Sequence, residues 1–263
     1  FQPLLYQVAT AELGPTEVAY PLRELMHRHR HLTFHQDEVT GIDLANKQVT
    51  TREGGTLIYD YLVLALGAVV NFFNTPGAAE HAFPLYTMDD AMRLKHHILS
   101  QFEQVDRHPD LIDDGALNFA IVGGGPTGVE LAGALSELIK REFVHDYPAE
   151  LTERATVHLY EHSPALVRMF SEELQQYTQQ TLVERGVEVH TNCGVSSVDA
   201  TSITLASGEV VKTHTLVWAA GLQANPLAAR LGITLDHGHI PVGPDLQVVG
   251  QPGVFAIGDI AAM

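Results

Sequence analysis

Three glycines and one glutamate are spaced to hold a phosphorylated ligand. Gly123, Gly125 and Gly128 form G-x-G-x-x-G within "AIVGGGPTGVELAG", residues 120–133. In such a loop the first glycine permits a tight turn, and the second lets the backbone approach a pyrophosphate. The third lets a helix pack closely on a strand. The unpaired N–H groups at the helix start then face the phosphates. Glu161 ends the stretch "TVHLYE", 38 residues after Gly123 and further than the usual ~20. A carboxylate at that strand end accepts hydrogen bonds from both ribose hydroxyls and repels a 2′-phosphate, which favours NADH over NADPH.

These residues need elements to carry them. "NFAIV", residues 118–122, reads as a strand. From Thr127 onward Val129, Ala132, Leu135, Ile139 and Phe143 recur at helical spacing, which predicts a helix with Glu130 on its first turn. The order strand, glycine loop, helix is the context that gives the motif its meaning. Past Glu161, Ser171 is expected to cap a helix with Glu172 and Glu173 at its positive end. Leu174, Tyr177 and Leu182 share a predicted face of that helix, and Gly186 ends it. "VEVH" follows as a strand, and then Cys193, read as a small structural residue rather than a nucleophile.

Composition narrows the classes. The 263 residues are 45% hydrophobic, enough to bury a core. The net charge of −17 argues against nucleic acid as a partner. No apolar run is long enough to cross a bilayer. A single cysteine excludes an internal disulfide framework and a CxxC redox pair. Among the 15 histidines, His27, His29, His31 and the pair His96-His97 lack carboxylate or cysteine partners at ligand spacing. They read as solvated helix faces, and no metal site is expected.

An internal repeat organises the chain. Residues 39–71 and 195–225 each open on V-x-x-[IV]-D and continue as a polar hairpin turned at Gly54-Gly55 or Ser207-Gly208. Each closes on an apolar strand ending Ala-x-Gly, at Ala65–Gly67 and Ala219–Gly221, and each is trailed by an asparagine, Asn71 or Asn225. Val195 follows the Gly123 loop by 72 residues, and the same distance before Val39 lies ahead of Phe1. The expectation is therefore a fragment, with a Gly-rich unit upstream of it. At the other end an apolar strand, Val254 to Ile257, leads into Gly258 and Asp259. A carboxylate there can bind sugar-alcohol hydroxyls, with a helix expected to follow. The fold class is α/β: two Rossmann-like dinucleotide-binding domains, each with a parallel sheet and an antiparallel β-meander, the second inserted in the first.

"FQPLLYQVAT", "YDYLVLALGA", "GGGPTGVELAGAL", "TLVWAAGLQANPLA" and "FAIGDIA" together resemble the two-dinucleotide flavoprotein reductases. Within that superfamily the chain is most similar to the type II NADH dehydrogenases, single-subunit NADH:quinone oxidoreductases. The resemblance implies an FAD-binding domain over 1–113, an NADH-binding domain over 114–224, and a return to the FAD domain over 225–263. It places Pro3 and Leu4 by the flavin ring and quinone entrance, and the Val39 backbone at the FAD adenine. Ala65 and Gly67 would form the strand end beside FAD. Gly258 and Asp259 would hold its ribityl chain or pyrophosphate. Gly123, Gly125, Gly128 and Glu161 would hold NADH. Glu130 would act between nicotinamide and flavin, and Gly221 would border the nicotinamide.

By the same resemblance a hydride passes from nicotinamide to flavin, and electrons then pass to a quinone. The cofactors carry this chemistry, so no protein thiol is needed for the first step. The resemblance further implies a cytoplasmic protein, peripheral on the membrane through a part beyond Met263, and a homodimer. Two other readings stay open: an NADH reductase serving another acceptor such as a ferredoxin, and a non-catalytic NAD-binding redox-sensing module.

Overall fold

The computed structural model describes residues 1–27 and 29–263. The chain opens with short helices α1 (Leu5–Ala9), α2 (Pro15–Val18) and α3 (Leu22–His27). Five short strands follow: β1 (Val39–Asp43), β2 (Gln48–Thr51), β3 (Thr56–Ile58), β4 (Leu62–Leu64) and β5 (Ala68–Val70). Next come α4 (Ala78–His81), β6 (Phe83–Pro84), the long α5 (Met88–Arg107), β7 (Asn118–Val122) and α6 (Pro126–Glu137). A π-helical turn, Leu138–Glu142, leads into α7 (Phe143–Asp146), α8 (Ala149–Arg154), β8 (Thr156–Tyr160), α9 (Glu172–Glu184) and β9 (Val187–His190). A meander, β10 (Val195–Asp199), β11 (Ser202–Leu205) and β12 (Val210–Lys212), precedes β13 (Thr215–Trp218) and β14 (Leu222–Ala224). The last strands are β15 (Ile240–Pro241), β16 (Val254–Ala256) and β17 (Ala261–Ala262).

The chain forms two compact units. The first comprises Phe1–Tyr20 and Asn71–Gly221. Its five-stranded sheet runs β6-β13-β7-β8-β9, with every pairing parallel. Position in the sheet explains the sequences. β13 and β7, covered on both faces, are near-continuous apolar runs, whereas the edge strand β9 alternates as "VEVH". Helix α5 buries one stripe, Ala91, Leu94, Ile98, Phe102 and Val105. That stripe shares one core with Phe119 and Ile121 of β7 and with Leu131 and Leu135 of α6. A capping box fixes the start of α5: Asp90 N–H donates to Thr87 Oγ1 at 3.1 Å, and Thr87 N–H donates to Asp90 Oδ2 at 2.8 Å.

The second unit comprises Pro21–Val70 and Leu222–Met263. It holds the β1-β2-β3 sheet and the pairs β4–β16, β5–β14 and β15–β17. Its core gathers Leu64, Ile240, Val248, Val254, Ala256 and Ile260.

These units divide the chain at other points than the expected limits at 113/114 and 224/225. Residues 71–113 pack within the first unit because the apolar stripe of α5 lies in the same core as β7 and α6.

The repeat has one shape in both copies. β1 pairs with β2, and β10 with β11, as antiparallel hairpins whose register slips at the same place, between Val39 and Gly41 and between Val195 and Ser197. The glycine closing each Ala-x-Gly adopts positive φ, +64° at Gly67 and +68° at Gly221. The trailing asparagines also act alike. Phe73 N–H donates to Asn71 Oδ1 at 2.8 Å, and Leu227 N–H donates to Asn225 Oδ1 at 3.0 Å.

Three local expectations are corrected. Helix α6 begins at Pro126, so Glu130 lies just past the first turn. Ser171 is the N-cap of α9, but its side chain makes no capping hydrogen bond. Of the three apolar positions on α9 only Leu182 is buried, while Leu174 and Tyr177 are exposed.

Candidate functional site

The glycine loop follows the carboxyl end of β7, next to β8 on one side and β13 on the other. In open parallel sheets this end is where ligands bind. Gly123 sits at φ +114°, and an added Cβ would stand 2.8 Å from the Ala219 backbone. Its N–H donates to Tyr160 O at 2.9 Å, which ties the loop to β8. Gly128 is the closest packing point: a Cβ there would lie 1.9 Å from Gly123 O. Among the described residues, none beyond Gly125's own chain neighbours comes within 4 Å of the position a Cβ would take there. Gly125 is the N-cap of α6 and brings no side chain to its orphan N–H groups. The three glycines thus differ in surroundings: a positive-φ turn at Gly123, free space at Gly125 and close packing at Gly128.

Glu161 stands one residue beyond β8, with its side chain 12% exposed. Gly124 N–H donates to its Oε2 at 2.6 Å, and Ser163 N–H donates to its Oε1 at 2.7 Å. His162 Nδ1 lies 2.9 Å from the same Oε1. Burial pushes the Glu161 pKa up, but the hydrogen bonds from Ser163 and Gly124 and the neighbouring His162 outweigh it, and the carboxyl ends below its ordinary value. The carboxylate is therefore held ionised, with one oxygen fixed by the loop's Gly124 N–H. A cavity of about 160 Å³ joins these groups, lined by Gly123, Glu161, Cys193, Trp218, Tyr160 and Phe73 among others.

Sequence reasoning missed Phe73, Tyr160 and Trp218. Trp218 immediately precedes the second Ala-x-Gly, and that adjacency was the available signal. Its indole Nε1–H donates to Asn71 O at 3.0 Å. Gly221 is confined from both directions, since its φ is +68° and a Cβ would strike the Phe73 ring at 2.3 Å. Cys193 is partly buried, and burial raises its thiol pKa, in line with an unreactive role.

Glu130 opens onto a different cavity, of about 340 Å³, with Tyr6, Glu12, Glu137, Tyr177 and Arg185 among its walls. Desolvation by that wall raises the Glu130 carboxyl pKa although one side stays open to solvent. Tyr6 titrates above its ordinary value through burial and the nearby Glu130 charge. Pro3 and Leu4 lie in the 3-10 turn Gln2–Leu4 of the same unit, leading into α1, whose Leu5, Val8 and Ala9 enter the core.

The second unit carries the remaining candidates. β4 and β16 run parallel, with Ala256 opposite Leu64. Their carboxyl ends deliver Ala65 and Gly67 on one side and Gly258 and Asp259 on the other, linked by Ile257 N–H donating to Leu64 O at 3.0 Å. Gly258 has φ +72° and open space where a Cβ would point. Val39 begins β1, at the residue preceding the register slip.

Of the histidines, His27, His29, His31 and His96 are exposed. His97 departs from the expected solvated face. Its Nε2 lies 2.9 Å from Thr215 Oγ1, and its ring packs 4.4 Å from that of Phe83.

With this geometry in place the comparisons are decisive. The family model described as pyridine nucleotide-disulphide oxidoreductase matches residues 1–263. The chain belongs to that family. It is 36% identical over 276 residues to the type II NADH:quinone oxidoreductase Ndh of Mycobacterium tuberculosis, covering 100% of this chain and 60% of the relative. It is 32% identical over 267 residues to the demethylphylloquinone reductase NdbB of Synechocystis sp., covering 98% and 61%. The chain thus spans about three fifths of the length of these relatives. In fold it is similar to NDH2 from Plasmodium falciparum in complex with NADH, with TM-score 0.89, 24% identity, and 99% and 57% of the two chains covered. The family takes its name partly from disulphide chemistry, yet this chain has one cysteine and cannot form such a pair within itself.

Proposed function

We propose that this chain is the dinucleotide-binding part of a flavin-dependent NADH:quinone oxidoreductase. The observation that carries the reading is the open backbone at Gly125, at the start of α6, beside a carboxylate pinned by the loop's own Gly124 N–H. Relatives named as NADH:quinone and demethylphylloquinone reductases support the acceptor class.

The residues present suit both coenzymes. Gly123, Gly125 and Gly128 would hold the NADH pyrophosphate, through bare backbone and the N–H groups of α6. Glu161 would accept the two ribose hydroxyls, and its charge disfavours the 2′-phosphate of NADPH. The 160 Å³ cavity, which Glu161 lines, would take the adenosine half, and Gly221 would border the nicotinamide. Ala65, Gly67, Gly258 and Asp259 would hold FAD at the shared end of β4 and β16, with Val39 at its adenine. When bound, NADH supplies a hydride, and FAD accepts it and releases electrons onward. Glu130, whose carboxyl pKa desolvation raises, would serve as the proton-holding group. The reading extends to a peripheral place on the cytoplasmic face of a membrane, where a lipid-dissolved quinone is met.

The test is the visible spectrum of the protein purified with its flavin. NADH should bleach the flavin band, and a soluble quinone analogue should restore it. Bleaching reversed faster by a ferredoxin would favour the other reductase reading. NADH binding without bleaching would leave a redox-sensing module.

A further inference from the structure

Among the described residues, two histidines outside the adjacent and alternating runs join a cluster of possible ligands. His158 and His190 are far apart in sequence and meet because β8 and β9 pair in parallel. The register sets His158 opposite Glu188 and Tyr160 opposite His190. Alternation sends Val157, Leu159 and Val187 into the core, so His158, Glu188 and His190 share the other face. His158 Nδ1 lies 3.2 Å from His190 Nε2 and 3.5 Å from Glu188 Oε2. One ligand atom from each residue falls within 4.8 Å of the others. A tetrahedral ion bonded to two imidazoles at about 2.0–2.1 Å keeps their nitrogens about 3.3 Å apart. The observed 3.2 Å, a hydrogen-bond contact in the metal-free pair, also fits a chelating pair.

A chain of hydrogen bonds sets which nitrogen of His158 faces this cluster. Asn118 Nδ2 donates to Lys212 O at 3.0 Å, which leaves its Oδ1 as an acceptor. The Thr156 hydroxyl donates to that Oδ1 at 3.0 Å. Its oxygen, having spent its proton, accepts from His158 Nε2–H at 2.9 Å. The imidazole proton is thereby fixed on Nε2, and the Nδ1 lone pair points at His190 and Glu188. Metal-ligating histidines are oriented by such a partner on the second nitrogen.

We propose that His158, Glu188 and His190 form a binding site for a borderline divalent cation of the Zn2+ class, with Thr156 and Asn118 as positioning residues for His158. Two imidazoles and one carboxylate are a ligand set suited to that class. Glu188 has a side chain 56% exposed, so the fourth coordination position is open to water. β9 is the edge strand of the sheet, which gives an ion a path from solvent.

The test titrates Zn2+ into the metal-stripped, flavin-loaded protein against a chromophoric chelator. One equivalent should bind. Glu188→Gln and His190→Gln, both changes near the sheet edge, should abolish that equivalent while circular dichroism stays unchanged. Thr156→Val keeps all three ligands and should weaken binding about 10–100-fold, the usual effect of removing an outer partner. Co2+ in place of Zn2+ should give visible d–d bands that His190→Gln removes. The proposal is overturned if no equivalent binds, or if the equivalent survives both Glu188→Gln and His190→Gln.

Discussion

Gly125 and Gly128 stand three residues apart in one motif, and the structure assigns them opposite sensitivities. A methyl at Gly128 would sit 1.9 Å from Gly123 O, where ordinary contact begins at 3.4 Å. The obstacle is backbone, so the helix must retreat from the strand. Overpacking costs about 1–3 kcal/mol, and a backbone obstacle belongs at the top of that range. At about 2–4 °C per kcal/mol for a chain of this size, Gly128→Ala should lower Tm by roughly 6–12 °C. A methyl at Gly125 meets no described residue beyond its chain neighbours within 4 Å, and the backbone there, φ −77° and ψ −179°, is open to alanine. Loss of an N-cap glycine and the smaller entropy of the unfolded chain offset each other, so Tm should stay within about 2 °C. That methyl nevertheless occupies the face assigned to the pyrophosphate. The KM for NADH should rise tenfold or more, about 1.4 kcal/mol of lost binding. Scanning fluorimetry and NADH-dependent quinone reduction read the two quantities separately. A Gly125→Ala protein that binds NADH like the wild type, or a Gly128→Ala protein with unchanged Tm, refutes the reasoning.

Other residues give equally separable outcomes. Glu161→Ala removes a charged acceptor for two hydroxyls, worth about 1.5–3 kcal/mol, so KM for NADH should rise about 10–100-fold and the preference over NADPH should shrink. Because the folded Glu161 pKa lies below 4.5, its ionised form stabilises the fold above pH 4.5. That contribution is lost as pH falls from there through the folded value, so Glu161→Gln should flatten the acid side of a urea-midpoint profile. Glu130 has the opposite sign: its raised pKa makes the ionised form the disfavoured one, and stability is lost as pH rises from 4.5 through the folded value. Glu130→Gln should therefore gain on the wild type between pH 4 and pH 8 in the same assay, while quinone-dependent turnover drops roughly tenfold or more. Phe102 is fully buried and contacts the rings of Phe119, Phe143 and Tyr147. Phe102→Ala should cost about 3–5 kcal/mol, lowering the calorimetric Tm by about 6–20 °C.

What the sequence determined by itself was whatever depends on neighbours along the chain. The strand–loop–helix around Gly123, the carboxylate ending β8 and the twice-used hairpin with its Ala-x-Gly were legible because spacing, alternation and glycine demand are local properties. Even the asparagine trailing each repeat does the same local work in both copies. Only the tertiary structure decided what depends on residues distant in sequence. It buried Leu182 yet left Leu174 and Tyr177 exposed, because a helical face is buried only where something packs on it. It set Glu130 in a cavity with Tyr6, and it drew Trp218 and Phe73 to the Gly123 loop. It brought His158 against His190, since strand register is a pairing between segments that no single segment encodes.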